Sequence, residues 1–321
     1  MSFGWGVAAT GRIARAVGTV VAEHPDMHVA AVGSRDAGRA AALAADLGAP
    51  RSYGSYDKLV HDDDVAAVYV ATPHAQHAGV VVAALEAGKA VLCEKPLTHD
   101  LAETERLAQL AKDTGAFLME GMWTRFNPLV RRVVDLAERG DLGELRSLHA
   151  SIGFPAPYDP GGRLWSPSLG GGALLDIGVY TVDLARLLLG DPVDVRATGS
   201  LAGTGVDAES SVVLSFAGGA HAVLDQSLLT RMPTTAVLFG SAGWAQLDAA
   251  FYAPTRLVVQ RGDHEPEEHV LPDRRAGFVG ELEEVVRCVH ERRPESDVLP
   301  LTETVATMRV LDDARRQLGA T

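Results

Sequence analysis

Through the first third of the chain, short apolar runs alternate with stretches of helical periodicity. Phe3–Ala8 is an apolar strand. From Arg12 to His24 the apolar positions recur at helical spacing. Met27–Gly33 is a second strand and Val65–Ala71 a third, followed by a helix that runs to Ala87. Ala90-Val91-Leu92 is a fourth. It stops at Cys93-Glu94-Lys95-Pro96, because proline has no N–H to donate to a sheet ladder. Asp100–Gly115 reads as a charged surface helix and Phe117–Glu120 as a further strand. Strands and helices alternating at these lengths predict an α/β domain built on a doubly wound parallel sheet, over residues 1–122.

The period changes in the second half. Pro128–Gly140 is an amphipathic helix. From Leu145 to Ile152 apolar and polar residues alternate, as in a strand with one wet face. Further strand runs follow at 193–201, 209–216, 221–229, 235–240, 244–248 and 255–260, several separated by glycine turns. Residues 123–321 are therefore predicted to form an α+β domain on a large, mainly antiparallel open sheet. Helices at 279–290 and 301–318 are expected to pack back between the domains.

The net charge of −13 excludes partners that need a basic face, so no nucleic acid and no anionic membrane surface are expected. A small anionic cofactor stays compatible, since a helix N-terminus and a few cations can hold it. No run reaches the length of a membrane span, and the start of the chain carries no signal-peptide pattern. Two cysteines, Cys93 and Cys288, give no disulfide framework and suit a reducing cytoplasm. The eleven histidines form no cluster with metal-ligand spacing, so no metal is expected.

Candidate chemistry lies at the carboxyl ends of the predicted parallel strands, where open α/β sheets bind ligands. The turn Ala9-Thr10-Gly11-Arg12-Ile13 occupies the place of a dinucleotide cradle. Its first glycine is replaced by Ala9, whose methyl requires a negative φ. Taken alone, the turn fits a strand–helix connection without a ligand equally well. Ser34 and Arg35 end the second strand, with Arg39 one turn on. A hydroxyl and guanidinium suit a 2′-phosphate where an acidic residue would take the ribose hydroxyls of NAD, so NADP is expected over NAD, with Asp36 keeping NAD open. Thr72, His74 and His77 end the third strand. The two histidines line the cofactor crevice, or one of them serves as a hydrogen-bonder at the helix start. Glu94 and Lys95 end the fourth, where an isolated Glu-Lys-Pro would also fit a surface ion pair. Trp123, Arg125 and Phe126 end the fifth and make a candidate pocket wall or a packed domain junction. Gly170-Gly171-Gly172 leads into a helix whose Asp176 and Tyr180 share one face, with Asp183 on the same side. Arg163 and Trp165 precede that glycine run and join the candidate substrate wall.

Glu94-Lys95-Pro96 and Gly-Gly-Gly-Ala-Leu-Leu-Asp-Ile-Gly ahead of Tyr180 resemble the glucose-fructose oxidoreductase / inositol dehydrogenase / rhizopine catabolism (Gfo/Idh/MocA) family over essentially the whole chain. A tyrosine at 180, Ala-Val-Leu-Cys-Glu-Lys-Pro, Trp123-Thr124-Arg125-Phe126 and Gly205-Val206-Asp207 are similar to its dimeric dihydrodiol dehydrogenase and NADP-dependent D-xylose dehydrogenase branch. The resemblance implies an N-terminal Rossmann domain, an NADP-linked oxidoreductase, and a homodimer or higher oligomer through the open sheet. It also implies Lys95 beside Tyr180. Tyrosine titrates near 10, and a neighbouring cation favours its phenolate, so the pair would pass a proton to or from a substrate hydroxyl. Asp176 would orient a substrate hydroxyl or the pair; an alternative gives Lys95 the direct proton role. The expected substrate is a sugar or a cyclic diol, as in an aldose 1-dehydrogenase or a trans-dihydrodiol dehydrogenase. A keto-sugar reductase and a non-catalytic dinucleotide or sugar sensor are the competing readings.

Overall fold

A computed structural model describes residues 2–248 and 250–321. The chain divides into two compact units, residues 1–122 with 278–305, and residues 123–277 with 306–321.

The first unit is built on a six-stranded parallel sheet. Its elements are β1 (Phe3–Ala8), α1 (Arg12–Glu23), β2 (Met27–Gly33), α2 (Ala37–Leu47), β3 (Arg51–Tyr53), α3 (Tyr56–Val60), β4 (Ala67–Val70), α4 (His77–Glu86), β5 (Ala90–Glu94), α5 (Leu101–Thr114) and β6 (Leu118–Gly121). The strand order is β3-β2-β1-β4-β5-β6. The order reverses direction at β1 and β4, the switch point where doubly wound sheets take ligands. The central strands are covered on both faces: every residue of β1 and β4 is buried, and Val68, Val91, Leu107 and Leu118 are fully so. Polar residues fix the starts of α2 and α5. The Asp36 side chain accepts from Arg39 N–H at the start of α2, and Asp100 does the same for Glu103 N–H at the start of α5. Gly48 and Gly115 end those helices in the left-handed conformation that costs glycine no Cβ clash. β3 is an edge strand that sequence periodicity missed, because Arg51-Ser52-Tyr53 is short, polar and only half-buried.

The second unit carries α6 (Pro128–Glu138), β7 (Leu145–Gly153), α7 (Val179–Leu189), β8 (Pro192–Leu201), β9 (Asp207–Phe216), β10 (His221–Ser227), β11 (Thr235–Gly240), β12 (Gly243–Asp248), β13 (Arg256–Arg261) and β14 (Glu267–Val270). The chain closes with α8 (Ala276–His290) and α9 (Leu301–Leu318); unit boundaries fall inside both, after Gly277 and after Val305. The eight strands run in the order β14-β13-β12-β11-β7-β10-β9-β8. All neighbours are antiparallel except β7 and β10, which are parallel because α7, β8 and β9 intervene in the chain between them.

In that sheet one face is buried and the other open. Leu148, Ala150 and Ile152 of β7 stand beside Ala222, Leu224 and Gln226 of β10 and are all buried. The alternate positions, including His149 and His221, face outward. α7 covers the buried face. Val182, Leu184 and Ala185 on it are fully buried, and truncating such a leucine to alanine typically costs about 2–5 kcal/mol. The helix that carries Tyr180 is therefore held by packing against the sheet rather than by its own propensity.

Candidate active site

In the first unit, the candidate residues stand at the ends of the parallel strands. Ala9 follows β1 with φ +128, and its N–H donates to the Gly33 carbonyl oxygen at 3.0 Å. The negative φ required by its methyl group is thus not what the chain adopts. The bond to β2 holds the turn in a conformation that costs an alanine about 1–3 kcal/mol. Gly11 caps α1 with no side-chain hydrogen bond, and a Cβ placed there would meet nothing within 4 Å. Its glycine is not demanded by packing inside the protein. Thr10, Arg12 and Ile13 frame the same turn, with Arg12 exposed.

At the end of β2, Ser34 is nearly buried and its Oγ accepts from Asp36 N–H at 3.2 Å. Asp36 is committed to α2. It accepts from Arg39 N–H at 2.9 Å and pairs with the Arg39 guanidinium at 3.3 Å, and that backbone bond is the main cause that holds its carboxyl below the ordinary range. Arg35 and Arg39 are exposed, and both act electrostatically on Tyr56, whose phenol burial pushes up.

At the end of β4, Thr72 is buried and its Oγ1 has no hydrogen-bond partner. His74 is half-buried. His77 is fully buried: its Nε2 lies 2.8 Å from the Thr72 carbonyl oxygen, and its Nδ1 3.1 and 3.2 Å from those of Pro96 and Leu97. Of the two sequence readings for these histidines, His77 has the geometry of the hydrogen-bonder. Glu94 and Lys95 at the end of β5 are half-buried, and the Lys95–Pro96 peptide is cis. Glu94 accepts from the hydroxyl of the fully buried Tyr69 at 2.5 Å, and Glu120 accepts from Leu97 N–H at 3.0 Å. Sequence reasoning missed Glu281 of α8. It is fully buried without a hydrogen-bond partner, and burial, reinforced by Glu94, pushes its carboxyl far up. The only signal was a glutamate at an inward position of an apolar helix.

A bound dinucleotide fits the strand ends of the first unit. An uncapped helix N-terminus, open space in front of Gly11, an orphaned Thr72 hydroxyl and exposed guanidinium groups beside Ser34 are the donor set that a pyrophosphate and a phosphorylated ribose require. Among the described residues, the one group with metal-ligand spacing is His99, Asp100 and Glu103 at the start of α5, where Asp100 already serves as the helix cap.

The second unit, taken by itself, carries the helix with Tyr180. The chain enters it through one π-helical turn, Leu174–Gly178, a geometry frequent at functional sites. Gly172 needs no side chain here for two reasons. Its φ is +117, and a Cβ would strike Asp207 Oδ1. Asp207 accepts from Leu174 N–H at 2.6 Å and so caps the turn, while its Oδ1 is buried without a partner. Burial raises its carboxyl to about 6.

Tyr180 is 8% exposed. Its hydroxyl oxygen accepts from the Trp123 indole N–H at 3.1 Å, and its ring stacks on Tyr252 with centroids 4.9 Å apart. Tyr252, which also meets Trp123, escaped the sequence reading because it lies in a loop with no periodicity. Asp176, nearly buried, is held by Arg163 at 2.7 Å, whose other side is solvent-facing. Arg125 is buried and locked to Asp183, likewise buried, at 2.8 Å. Its guanidinium therefore supports the helix from within rather than lining a pocket. Trp165 is also buried, its N–H donating to the Pro157 carbonyl, while Phe126 is half-buried. The structure thus brings Trp123 to Tyr180 and Arg163 to Asp176, and withdraws Arg125 and Trp165 into the interior.

Residues 3–122 match the oxidoreductase family with an NAD-binding Rossmann fold, and residues 130–246 match the GFO/IDH/MocA C-terminal domain. The chain belongs to the GFO/IDH/MocA oxidoreductase family. It is 36% identical over 331 aligned positions to the trans-1,2-dihydrobenzene-1,2-diol dehydrogenase of Mus musculus, covering 100% of this chain and 98% of the mouse protein. The Homo sapiens protein of the same name is 34% identical, with the same coverage. Among solved structures, the aldose-aldose oxidoreductase of Caulobacter crescentus, complexed with glycerol, superposes with a TM-score of 0.90 at 26% identity, over 99% of this chain and 97% of that one. A 3-ketoreductase of Actinomadura kijaniata, in complex with NADP and TDP-benzene, gives 0.86 at 30% identity, over 99% and 98%. This GFO/IDH/MocA member is an NAD(P)-dependent oxidoreductase acting on alcohol or carbonyl groups. None of its described helices is long and apolar enough to cross a membrane.

Proposed function

We propose that the protein is an NADP-dependent oxidoreductase that moves a hydride between the nicotinamide and a secondary or hemiacetal carbon of a sugar-like or cyclic diol substrate. The observation that carries this reading is the bond from the Trp123 indole to the Tyr180 oxygen. A phenol that already receives a donor is prepared to hold negative charge as its proton leaves. Tyr180 takes the hydroxyl proton in oxidation and returns it in reduction. Lys95 is assigned the role of the cation that favours the phenolate, and Asp176, oriented by Arg163, holds a substrate hydroxyl. Trp123, Tyr252 and Phe126 supply the flat walls that sugar and ring faces prefer. When bound, NADP supplies or accepts the hydride. The cradle from Ala9 to Ile13, with Thr72, His74 and Glu94, would hold the dinucleotide. Ser34, Arg35 and Arg39 would take its 2′-phosphate, a choice supported by Asp36 being spent on α2.

Reduction of a keto-sugar is the second reading, favoured by the likeness to the ketoreductase; the same residues serve either direction. We also assign a homodimer through the open sheet face, supported by exposed Val213 on β9, and a cytoplasmic location, supported by two buried free thiols.

The test is absorbance at the wavelength of the reduced nicotinamide, with NADP+ and NAD+ separately, across aldoses, polyols and trans-dihydrodiols, and in reverse with keto-sugars. Turnover with NADP+ supports the first reading and turnover only in reverse the second. Dinucleotide binding without turnover in either direction would refute catalysis.

A further inference from the structure

Within the second unit, Asp176 is held at its side chain, at its backbone and through its turn. Its carboxylate takes the Arg163 guanidinium at 2.7 Å, and its backbone N–H donates to the Gly172 carbonyl oxygen at 3.1 Å. Gly172 N–H donates in turn to the carbonyl oxygen of Leu164, the neighbour of Arg163, at 3.0 Å. Arg163 and Gly172 thus belong to one closed loop that grips the side chain and the main chain of the same residue. The third hold comes from far away in sequence. Asp207 opens β9, where it pairs with Leu201 of β8, and its Oδ2 accepts from Leu174 N–H at 2.6 Å.

Two features set this contact apart from an ordinary helix cap. Asp207 is buried, and its Oδ1 has no hydrogen-bond partner among the described residues, a state that costs stability wherever it occurs. The same oxygen lies so close to Gly172 that no Cβ fits there, and Gly172 holds its positive φ beside it. A cap asks for neither, since any serine or asparagine at a helix start supplies one. Stability given up for a close approach marks a place where position matters. The turn that Asp207 holds is π-helical and contains one residue more than an α-turn. Closing it to α geometry would slide the residues ahead of it by one position, about 100° around the axis, and carry Asp176 off the face it shares with Tyr180. Packing of α7 on the sheet fixes the far end of the turn, and Asp207 fixes the near end.

We propose that Asp207 is a positioning residue for Asp176: by tying Leu174 N–H to the start of β9 it keeps the π-turn open, and Gly172 makes room for it. The proposal rests on the reading of Asp176 as the group that holds a substrate hydroxyl. Aspartate and asparagine both offer Leu174 an oxygen, so the hold depends on the acceptor and its reach rather than on charge. Alanine offers none.

The experiment compares Asp207→Asn with Asp207→Ala in the full chain at neutral pH. The first readout needs no substrate. It is the carbon resonance of the Asp176 carboxyl, assigned by its loss in Asp176→Asn. In Asp207→Ala it should move toward its position in Arg163→Met, where the guanidinium is gone, and in Asp207→Asn it should not. With a substrate in hand, Asp207→Ala should raise KM for that substrate by about tenfold and leave kcat within about threefold, and Asp207→Asn should keep the wild-type KM. A merely structural role would lower the active fraction, and with it kcat, at unchanged KM. That pattern overturns the proposal. So does an Asp176 resonance that stays in place in Asp207→Ala, or an Asp207→Asn protein that behaves like Asp207→Ala. If Asp207→Ala does not fold, Asp207→Ser decides by the same readouts, because its hydroxyl falls one atom short of Leu174 N–H. If no substrate is turned over, the resonance still decides the positioning, and the failure belongs to the functional reading.

Discussion

Replacing Asp207 by asparagine should make the protein more stable than the wild type at neutral pH, and the gain should vanish in acid. Asp207 is 1% exposed, and burial raises its carboxyl from 3.8 to about 6. The folded state thus holds the proton more tightly than the unfolded one. The stability this contributes is fully present below pH 3.8 and is lost as pH rises through about 6. A shift of this size is worth about 3 kcal/mol over the whole range, of which about 1.4 kcal/mol falls between pH 5 and pH 8. The asparagine side chain would not titrate, yet its amide oxygen can still accept from Leu174 N–H, so the cap survives. The difference between wild type and Asp207→Asn in urea unfolding should therefore rise in the variant's favour by about 1.4 kcal/mol from pH 5 to pH 8. A difference flat within about 0.5 kcal/mol would show that the carboxyl is not raised. The opposite slope would show that the Leu174 and Ala173 amides and Arg315, which all favour the anion, outweigh burial.

Four further outcomes follow from the site. Lys95→Met and Tyr180→Phe should each lose most turnover while dinucleotide binding, followed by thermal shift, persists; full activity in either removes that residue from the chemistry. Arg35→Ala should weaken NADP+ binding by about tenfold, with NAD+ binding nearly unchanged, the usual worth of a charge-assisted pair to phosphate; equal losses for both dinucleotides would move the 2′-phosphate elsewhere. Ala9→Gly should raise unfolding stability by about 1 kcal/mol by relieving the positive φ, and Ala9→Val should lower it by at least as much. Arg163→Met should raise KM for the substrate more than it lowers kcat, because it frees Asp176 without touching Tyr180; a pure kcat effect would place Arg163 in the proton path.

Five strands of the first unit and the helices after β1, β4 and β5 were legible because parallel strands buried on both faces read as continuous apolar runs, and long helices announce themselves by period and caps, whereas the short α3 was not read. β3 and β14 were not, since Arg51-Ser52-Tyr53 and Glu267–Val270 are polar edge strands whose pairing is decided by neighbours distant in sequence. The parallel pairing of β7 with β10 was hidden for a related reason: alternation tells which face of a strand is wet, never which strand lies beside it. Within the site, Tyr180, Asp176 and the Glu-Lys-Pro turn stood out by residue type and by position at element ends.

What the sequence could not disclose is where a charge finds its partner. Arg125 stands in a Trp-Thr-Arg-Phe cluster that suits a pocket wall, yet Asp183 claims it inside the protein. Asp36, two residues beyond the place of an NAD-binding carboxylate, kept NAD open, yet Arg39 N–H and the Arg39 guanidinium occupy it. Asp207 lies far in sequence from the glycine run, yet it explains why Gly172 must be glycine. In each case a short acidic side chain is bound within the fold. On the proposed reading, cofactor choice and substrate contact are decided as much by which charges are already paired as by which are present. Asp36→Ala is the sharpest consequence. If pairing is what silences Asp36, removing it should leave the preference between NADP+ and NAD+ unchanged while weakening the start of α2 by about 1 kcal/mol, and a swing in cofactor preference would mean that Asp36 faces the ribose after all.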